Sequence, residues 1–294
     1  MIFKGVNIID FSTRFSTDEK CMEYLAEIKW KNGYQCAKCG HKKYFEGKRS
    51  FGRCCTKCHY DESPTAHTLF HKVKFPMQKA FYIAFLVATS KKGISSYELS
   101  RKLSLRQKTC WLFKRKVMEA MKSKGKFPLT GEVEIDEFYV GGPEKKNRGR
   151  GNEKKKQVVL AIQVDQFGIH RSYAQVIPRA DSTELEAFVD QTIDRNAAIR
   201  TDGWTGYHPL KESYVKLRQD RSGKGENFPL MHRQIMMIKA WLRGIHHQCK
   251  HLQAYLDEFN YRFNRLKFMD SIFNNLIVRM MEHPPTIYQK LKVT

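Results

Sequence analysis

The hydrophobic and polar positions of this chain change their spacing several times between the first residue and the last. Around residues 10–30 (FSTDEKCMEYLAEIKW) apolar positions recur at helical intervals, predicting a short amphipathic helix. Ser16 or Thr17 is its expected N-cap, with Glu19 in the first turn. Residues 31–75 lose the periodicity and are rich in Cys, Gly, His and Lys. Helical spacing returns over 76–126. From about 130 to 220 the pattern becomes short β-type runs: GEVEIDEFYVGG, QVVLAIQVD, IHRSYAQVI, AAIRTD and YVKLR. One helix, DSTELEAFVDQTID, separates the third run from the fourth, with Asp181 or Ser182 as its cap. The final stretch of about 65 residues reads as mainly helical. The expected organisation is an α/β multidomain chain divided into 1–30, 31–75, 76–126 and 127–294.

Composition narrows the partner. Fifty-three Lys and Arg face thirty Asp and Glu among 294 residues, a net charge of +23. An excess of that size favours a polyanion, because each neutralised phosphate releases condensed counterions. Hydrophobic residues at 41% are enough for packed cores. No apolar run reaches the length of about 20 residues that spans a membrane, so no membrane partner is expected. The N-terminus lacks the pattern of a secretory signal. A cytoplasmic setting is therefore expected, and there paired cysteines point to metal before disulfide.

Two C-x-x-C pairs, Cys36/Cys39 and Cys55/Cys58, stand fifteen residues apart. Each pair supplies two thiolates from one tight turn, and the segment between them folds back to complete a tetrahedron for Zn2+. A redox pair is the competing reading, and two matched pairs argue against it. Cys54 is a poorer ligand by spacing, His41 and His59 read as surface residues, and Cys21, Cys110 and Cys249 as small core residues.

Residues 93–121 read as a helix-turn-helix. Ser95 or Ser96 caps a first helix ending near Leu103. Ser104 caps a second, which presents Arg106, Gln107 and Lys108 at its start. Leu99, Leu103, Leu105, Trp111 and Val117 are the expected shared core. A purely structural helix pair has the same pattern. The stretch 143–157 holds seven Lys or Arg and two Glu. Lys145, Lys146, Arg148, Arg150, Lys154, Lys155 and Lys156 make it either a solvated loop or a phosphate-contacting arm.

The run Glu132–Gly142 is a strand pattern loaded with acids, costly in an interior unless a cation compensates them. Alternation puts Asp136 on the face opposite Val133 and Ile135. Asp202 follows the strand-like AAIR and precedes Gly203-Trp204, which by itself is also an ordinary turn position. Carboxylates on separate strands are a recurring way to hold divalent ions for phosphoryl transfer.

At this point the chain resembles a known family, the bacterial insertion-sequence transposases of the DDE type, with an N-terminal zinc ribbon and a ribonuclease-H-like catalytic domain. The resemblance rests on CAKCGHKKYF, TLFHKVKFP, KKGISSYELSRKL, EIDEFYVGG, RTDGWTGY and HLQAYLDEFNYRFNR, in that order. It implies a ribbon and helix-turn-helix followed by a ribonuclease-H-like mixed-sheet domain with C-terminal helices. It implies Asp136 and Asp202 as the first two ligands of Mg2+ or Mn2+. The family's third ligand is usually Glu, seven residues before a Lys. Lys239 matches that Lys, and seven residues earlier stands His232, giving a DDH-type set; Glu226 is the runner-up. The implied activity is binding of double-stranded DNA at terminal inverted repeats, then metal-dependent cleavage and strand transfer to target DNA. A homodimer or larger assembly on nucleoid DNA goes with it. A non-catalytic DNA-binding regulator and a ribonuclease-H-like nuclease without transposition are the rival readings.

Overall fold

Two helices form where one was expected. In this computed structural model, which describes residues 2–141, 155–221, 223, 226–245, 250–287, 289 and 291, α1 is Ile8–Arg14 and α2 is Asp18–Lys29. Asn7 accepts the Ile9 amide at 2.8 Å and Thr17 accepts that of Lys20 at 3.3 Å, so each helix starts on its own capping side chain. The break falls at Phe15, whose buried ring packs edge-on against Tyr24 and Phe81.

A three-stranded antiparallel sheet follows, from β1 (Tyr44–Glu46), β2 (Arg53–Cys55) and β3 (Asp61–Glu62). Lys29 ties α2 to β3. Its Nζ lies 2.7 Å from Glu62 Oε1 and donates to the Ser63 and Ala66 carbonyls, so the half-buried ammonium has three partners. Then come α3 (Met77–Thr89), α4 (Ser96–Leu103) and α5 (Gln107–Met121).

The helix α10 (Ile272–Glu282) packs with these N-terminal elements. The Phe273 ring lies 5.2–5.9 Å from those of Phe3, Phe11, Phe15, Phe81 and Phe85. Met1–Met121 and Lys267–Thr294 thus form one compact unit and Lys122–Leu266 the other. The pattern along the chain predicts a last region of 127–294. Its final helix departs from that because the apolar stripe of α10 finds its partner in an aromatic core formed early in the chain.

The second unit is built on one five-stranded sheet. Its strands are β4 (Glu132–Val140), β5 (Lys156–Asp165), β6 (Gly168–Ile177), β7 (Ala198–Thr201) and β8 (Arg218–Gln219), in spatial order β6-β5-β4-β7-β8. The first three are antiparallel, while β7 runs parallel to β4 and β8 to β7. A mixed sheet is what the resemblance implied. Val158–Ile162 of β5 are wholly buried, as expected of a strand covered on both faces. One face packs with α6 (Ser182–Thr192), where Asp181 is the cap, around Val133, Ile135, Phe188 and Tyr207. The other carries α8 (Pro229–Ile245) and α9 (Leu252–Phe263). Of the run YVKLR only Arg218 enters a strand, the short β8 (Arg218–Gln219), because Tyr214–Leu217 form the turn that follows α7 (Leu210–Ser213).

β6 is the outer strand, and α9 covers its backbone with side-chain amides. Asn264 Oδ1 accepts from the Ser172 amide and Nδ2 donates to its carbonyl, at 2.8 and 3.0 Å. Gln253 does the same for the Val176 amide and the Ala174 carbonyl. Four backbone groups that would leave this sheet edge sticky are thereby engaged.

Candidate active site

The four ribbon cysteines converge. Cys36 Sγ lies 3.6 Å from Cys58 Sγ, Cys39 Sγ lies 3.6 Å from Cys55 Sγ, and all four sulfurs fall within 4.8 Å of one another. A tetrahedral Zn2+ with bonds of about 2.3 Å needs sulfurs about 3.8 Å apart, so the set fits structural zinc. The two knuckles repeat one geometry. Gly40 N donates to Cys36 O and His59 N to Cys55 O, with Gly40 at φ 73° and His59 at φ 55°. The second knuckle places a histidine in the left-handed conformation that the first gives to glycine. Burial pushes the Cys36 thiol up, but the amides of Cys39 and Lys38 and the neighbouring thiols outweigh it and hold it down to about 6. Trp30, Tyr34, Cys36 and Cys55 form the small core beneath the metal position, and the Arg53 guanidinium stacks between Trp30 and Tyr44 at 4.4 and 4.1 Å.

The α4–α5 pair differs from expectation at its turn. Ser95 caps α4 through the Glu98 amide, as expected. Ser104 caps no second helix. It takes the left-handed conformation at φ 50° and closes α4 instead, and α5 begins at Gln107 behind Arg106. A residue with positive φ cannot be a helix N-cap, which needs extended backbone. Arg106 and Lys108 are exposed, while Gln107 Nε2 donates to Ser96 Oγ at 2.8 Å and helps hold the pair together. Leu99 and Val117 are core, with Cys110 and Phe113; Leu103, Leu105 and Trp111 are only half-buried. Of the basic stretch, Lys145, Lys146, Arg148, Arg150 and Lys154 lie outside the described residues, as does Cys249. Lys155 and Lys156 lead into β5, and Lys156 Nζ donates to the Lys250 carbonyl.

Asp136 and Asp202 are brought together by strand register. Ile135 pairs with Thr201 across the parallel β4–β7 ladder. The residues that follow are Asp136 and Asp202, on neighbouring strands whose spacing is about 4.8 Å. Asp202 sits in the turn just past β7. Its Oδ1 accepts the Trp204 amide at 3.0 Å, Trp204 Nε1 donates to Ala180 O, and Gln219 Nε2 donates to the carbonyls of Asp202 and Trp204. The Tyr207 hydroxyl, wholly buried, donates to Glu137 and so pins the turn to β4. Burial chiefly, then Glu137, Asp136 and Asp202, push the Tyr207 phenol well above its ordinary value. Three carboxylates thus act on one phenol.

On the face of β4 opposite that core, Glu134, Asp136 and Phe138 meet α8. The Met231 amide hydrogen-bonds Glu134, and Lys239 Nζ stands 5.4 Å from the Phe138 ring centroid. Burial lowers the Lys239 pKa, Arg243 and Lys155 lower it further, and Asp136 pulls it back. Lys239 is half-buried near Asp136, whereas His232 is exposed on the first turns of α8. Among the described residues, the four cysteines are the group of three or more metal-type ligands within 4.8 Å. The ligand atoms of Asp136, Asp202 and His232 are not that close. Glu226 is exposed in the turn before α8.

Sequence reasoning missed the cation that compensates Glu134. Arg200 NH1 lies 3.4 Å from Glu134 Oε1, its Nε 2.6 Å from Asp220 Oδ2, and its guanidinium 4.4 Å from the Phe228 ring. The signal was present in the alternation that put Glu134 on the face of Asp136, but nothing local named Arg200 as partner. The Tyr207–Glu137 contact was missed in the same way. Glu137 lies on the opposite face from Asp136, and only the fold brings it to Tyr207.

Residues 16–61 match the transposase zinc-ribbon domain, and residues 128–264 match the ISXO2-like transposase domain. A relative from Halobacterium salinarum, described as an uncharacterized protein in transposable element ISH50, is 24% identical over 223 residues. That alignment takes in 70% of this chain and 74% of the relative. Two solved structures, a pre-cleavage Mos1 transpososome and the Mos1 strand transfer complex, align over 69% of this chain and over 78% and 75% of theirs. Identities are 11% and 12%, and both TM-scores are 0.31, too low for the likeness to bear on this chain. A zinc ribbon ahead of an ISXO2-like transposase domain, matched in order over most of its length, makes this chain a member of the insertion-sequence transposases.

Proposed function

We propose that this transposase binds the terminal inverted repeats of its element as double-stranded DNA and catalyses metal-dependent strand cleavage and strand transfer. The observation that carries the reading is the adjacency of Asp136 and Asp202, set by the Ile135–Thr201 pair. An all-oxygen pair suits Mg2+ or Mn2+, and His232 adds an imidazole that favours the softer Mn2+. The bound ion supplies Lewis-acid stabilisation of charge on the phosphate under attack. Asp136 and Asp202 would hold that ion from adjacent strands, with His232 of α8 as the third ligand. Lys239, beside Asp136, orients a phosphate oxygen. Glu137 and Tyr207 keep the Asp202 turn on β4. The ribbon cysteines hold structural zinc. Arg106, Gln107 and Lys108 at the start of α5 meet DNA, and the basic arm of Lys145, Lys146, Arg148, Arg150, Lys154, Lys155 and Lys156 grips its phosphates. Pairing of two element ends calls for at least a dimer on DNA.

The test is strand transfer of a duplex carrying the sequences that flank the gene, with Mg2+ or Mn2+. Asp136→Ala is expected to remove product while leaving DNA binding intact. The exposure of His232 favours one second reading, a DNA-binding regulator without catalysis. Binding of the flanking sequences with no cleavage by the wild type in either metal would establish that reading instead.

A further inference from the structure

The hairpin joining β5 to β6 ends in Asp165-Gln166-Phe167-Gly168, and the Phe167 side chain at its tip is 84% exposed. The turn beneath the ring is built. Gly168 takes φ 117° and pairs with Asp165. Asp165 Oδ1 accepts the Phe167 amide at 2.8 Å, and the other carboxylate oxygen holds the His170 ring. Behind the tip, Gln253 and Asn264 fasten β6 to α9. The ring therefore stands on a fixed backbone.

Arginines stand on both faces of the hairpin, one at the tip and one further along β6. Arg171 shares the face of Tyr173, which belongs to the α6-side core. Its guanidinium donates to the Phe127 carbonyl and lies 5.7 Å from that half-exposed ring. Arg233 comes from the other face, where its neighbour Gln234 donates to Ser172. Its NH2 atom stands 3.6 Å from where a Cβ on Gly168 would be. Arg233 also follows His232 directly, so the tip adjoins the first turns of α8.

A single exposed apolar side chain needs no explanation by itself. A ring on a rigid tip, with one guanidinium beside Gly168 and a second further along β6, has the chemistry of a wedge for nucleic acid. The ring replaces the stacking that a separated base step loses, and the cations neutralise the flanking phosphates. We infer that Phe167 inserts into the base stack of duplex DNA held by the catalytic unit, with Arg171 and Arg233 on the adjoining phosphates. The ligand class is double-stranded DNA opened at one step. The inference rests on the DNA-binding reading above.

The experiment uses the full chain and a short duplex of arbitrary sequence with 2-aminopurine scanned through a T-A step, following anisotropy and 2-aminopurine emission together. Wild type is expected to bind and to raise the emission several-fold at one probe position, reporting an unstacked base. Phe167→Ala is expected to bind within about threefold, since phosphate contacts carry most of the affinity, and to lose the rise. Phe167→Tyr, which keeps a stacking ring, should restore it. Binding by the wild type without a rise at any position, or a rise that survives Phe167→Ala, overturns the wedge and leaves the DNA reading intact. An absence of binding by the wild type overturns the DNA reading itself.

Discussion

Asp136 and Asp202 occupy the next step after the Ile135–Thr201 pair of the parallel β4–β7 ladder, although sixty-six positions separate them in the chain. Parallel pairing makes this possible, since both chains run the same way and each pair predicts the next. If the two carboxylates share a metal, Asp136→Ala and Asp202→Ala should each slow strand transfer by roughly a thousandfold or more, about 4 kcal/mol of barrier. Binding to DNA should change little. A single-turnover assay beside a binding titration checks this, and a variant that keeps wild-type turnover removes its residue from the site.

His232 predicts a metal preference. Imidazole suits Mn2+ better than Mg2+, which prefers oxygen. His232→Glu should therefore raise the ratio of Mg2+- to Mn2+-supported activity, and His232→Ala should lower both. Metal titrations of the three proteins give the comparison. Full activity in His232→Ala would show that the third ligand lies elsewhere, with Glu226 the next residue to substitute.

Tyr207→Phe removes the donor that Glu137 accepts and leaves that carboxylate without this partner beside the core. The expected cost is about 1–3 kcal/mol of stability. Strand transfer should fall too, because the contact locks the Asp202 turn to the Asp136 strand. Thermal melting and turnover, measured together, should move in parallel. A lowered melting temperature with unchanged turnover would make the contact structural only.

Glu134 supplies a pH signature. Burial raises its pKa above the unfolded value, while Arg200 and the Met231 amide pull against that. A carboxyl raised in the folded state binds its proton more tightly there than in the unfolded chain. Its contribution is therefore most favourable below the unfolded value of about 4.3, and it declines as pH rises through the raised folded value. Glu134→Gln cannot titrate. Relative to that variant, wild type should lose stability as pH rises from the acid side of this window. Denaturant melts across the window read the difference, and parallel curves would contradict the assignment.

The ribbon should depend on its metal. Zinc binding to such sites is worth about 10–16 kcal/mol in apparent terms, and that free energy is folding free energy. Cys39→Ser, or a strong chelator, should release one zinc per chain and loosen residues 31–75 while leaving the β4–β8 sheet protected. Metal analysis with hydrogen exchange measures both. Retention of zinc in Cys39→Ser would point to Cys54 as substitute ligand, and that cysteine is buried one residue from Cys55.

The sequence by itself determined what short-range chemistry encodes. Two C-x-x-C pairs make two knuckles, because each pair is bridged by its own turn. Period-two alternation separated Asp136 from Val133 and Ile135 before any partner strand was known. The resemblance then joined Asp202 to Asp136, and Lys239 to the helix that reaches it. Other features depend on partners far away in the chain. The tertiary structure decided that β7 lies beside β4 in the register that matches Ile135 with Thr201. It decided that Arg200 answers Glu134, that Ser104 ends a helix instead of starting one, and that α10 completes the N-terminal unit. Periodicity tells which face of an element is apolar but not which face of which other element will cover it. That choice is made by the shared burial of side chains such as Phe273 against Phe11 and Phe81, and it exists only once the cores have formed.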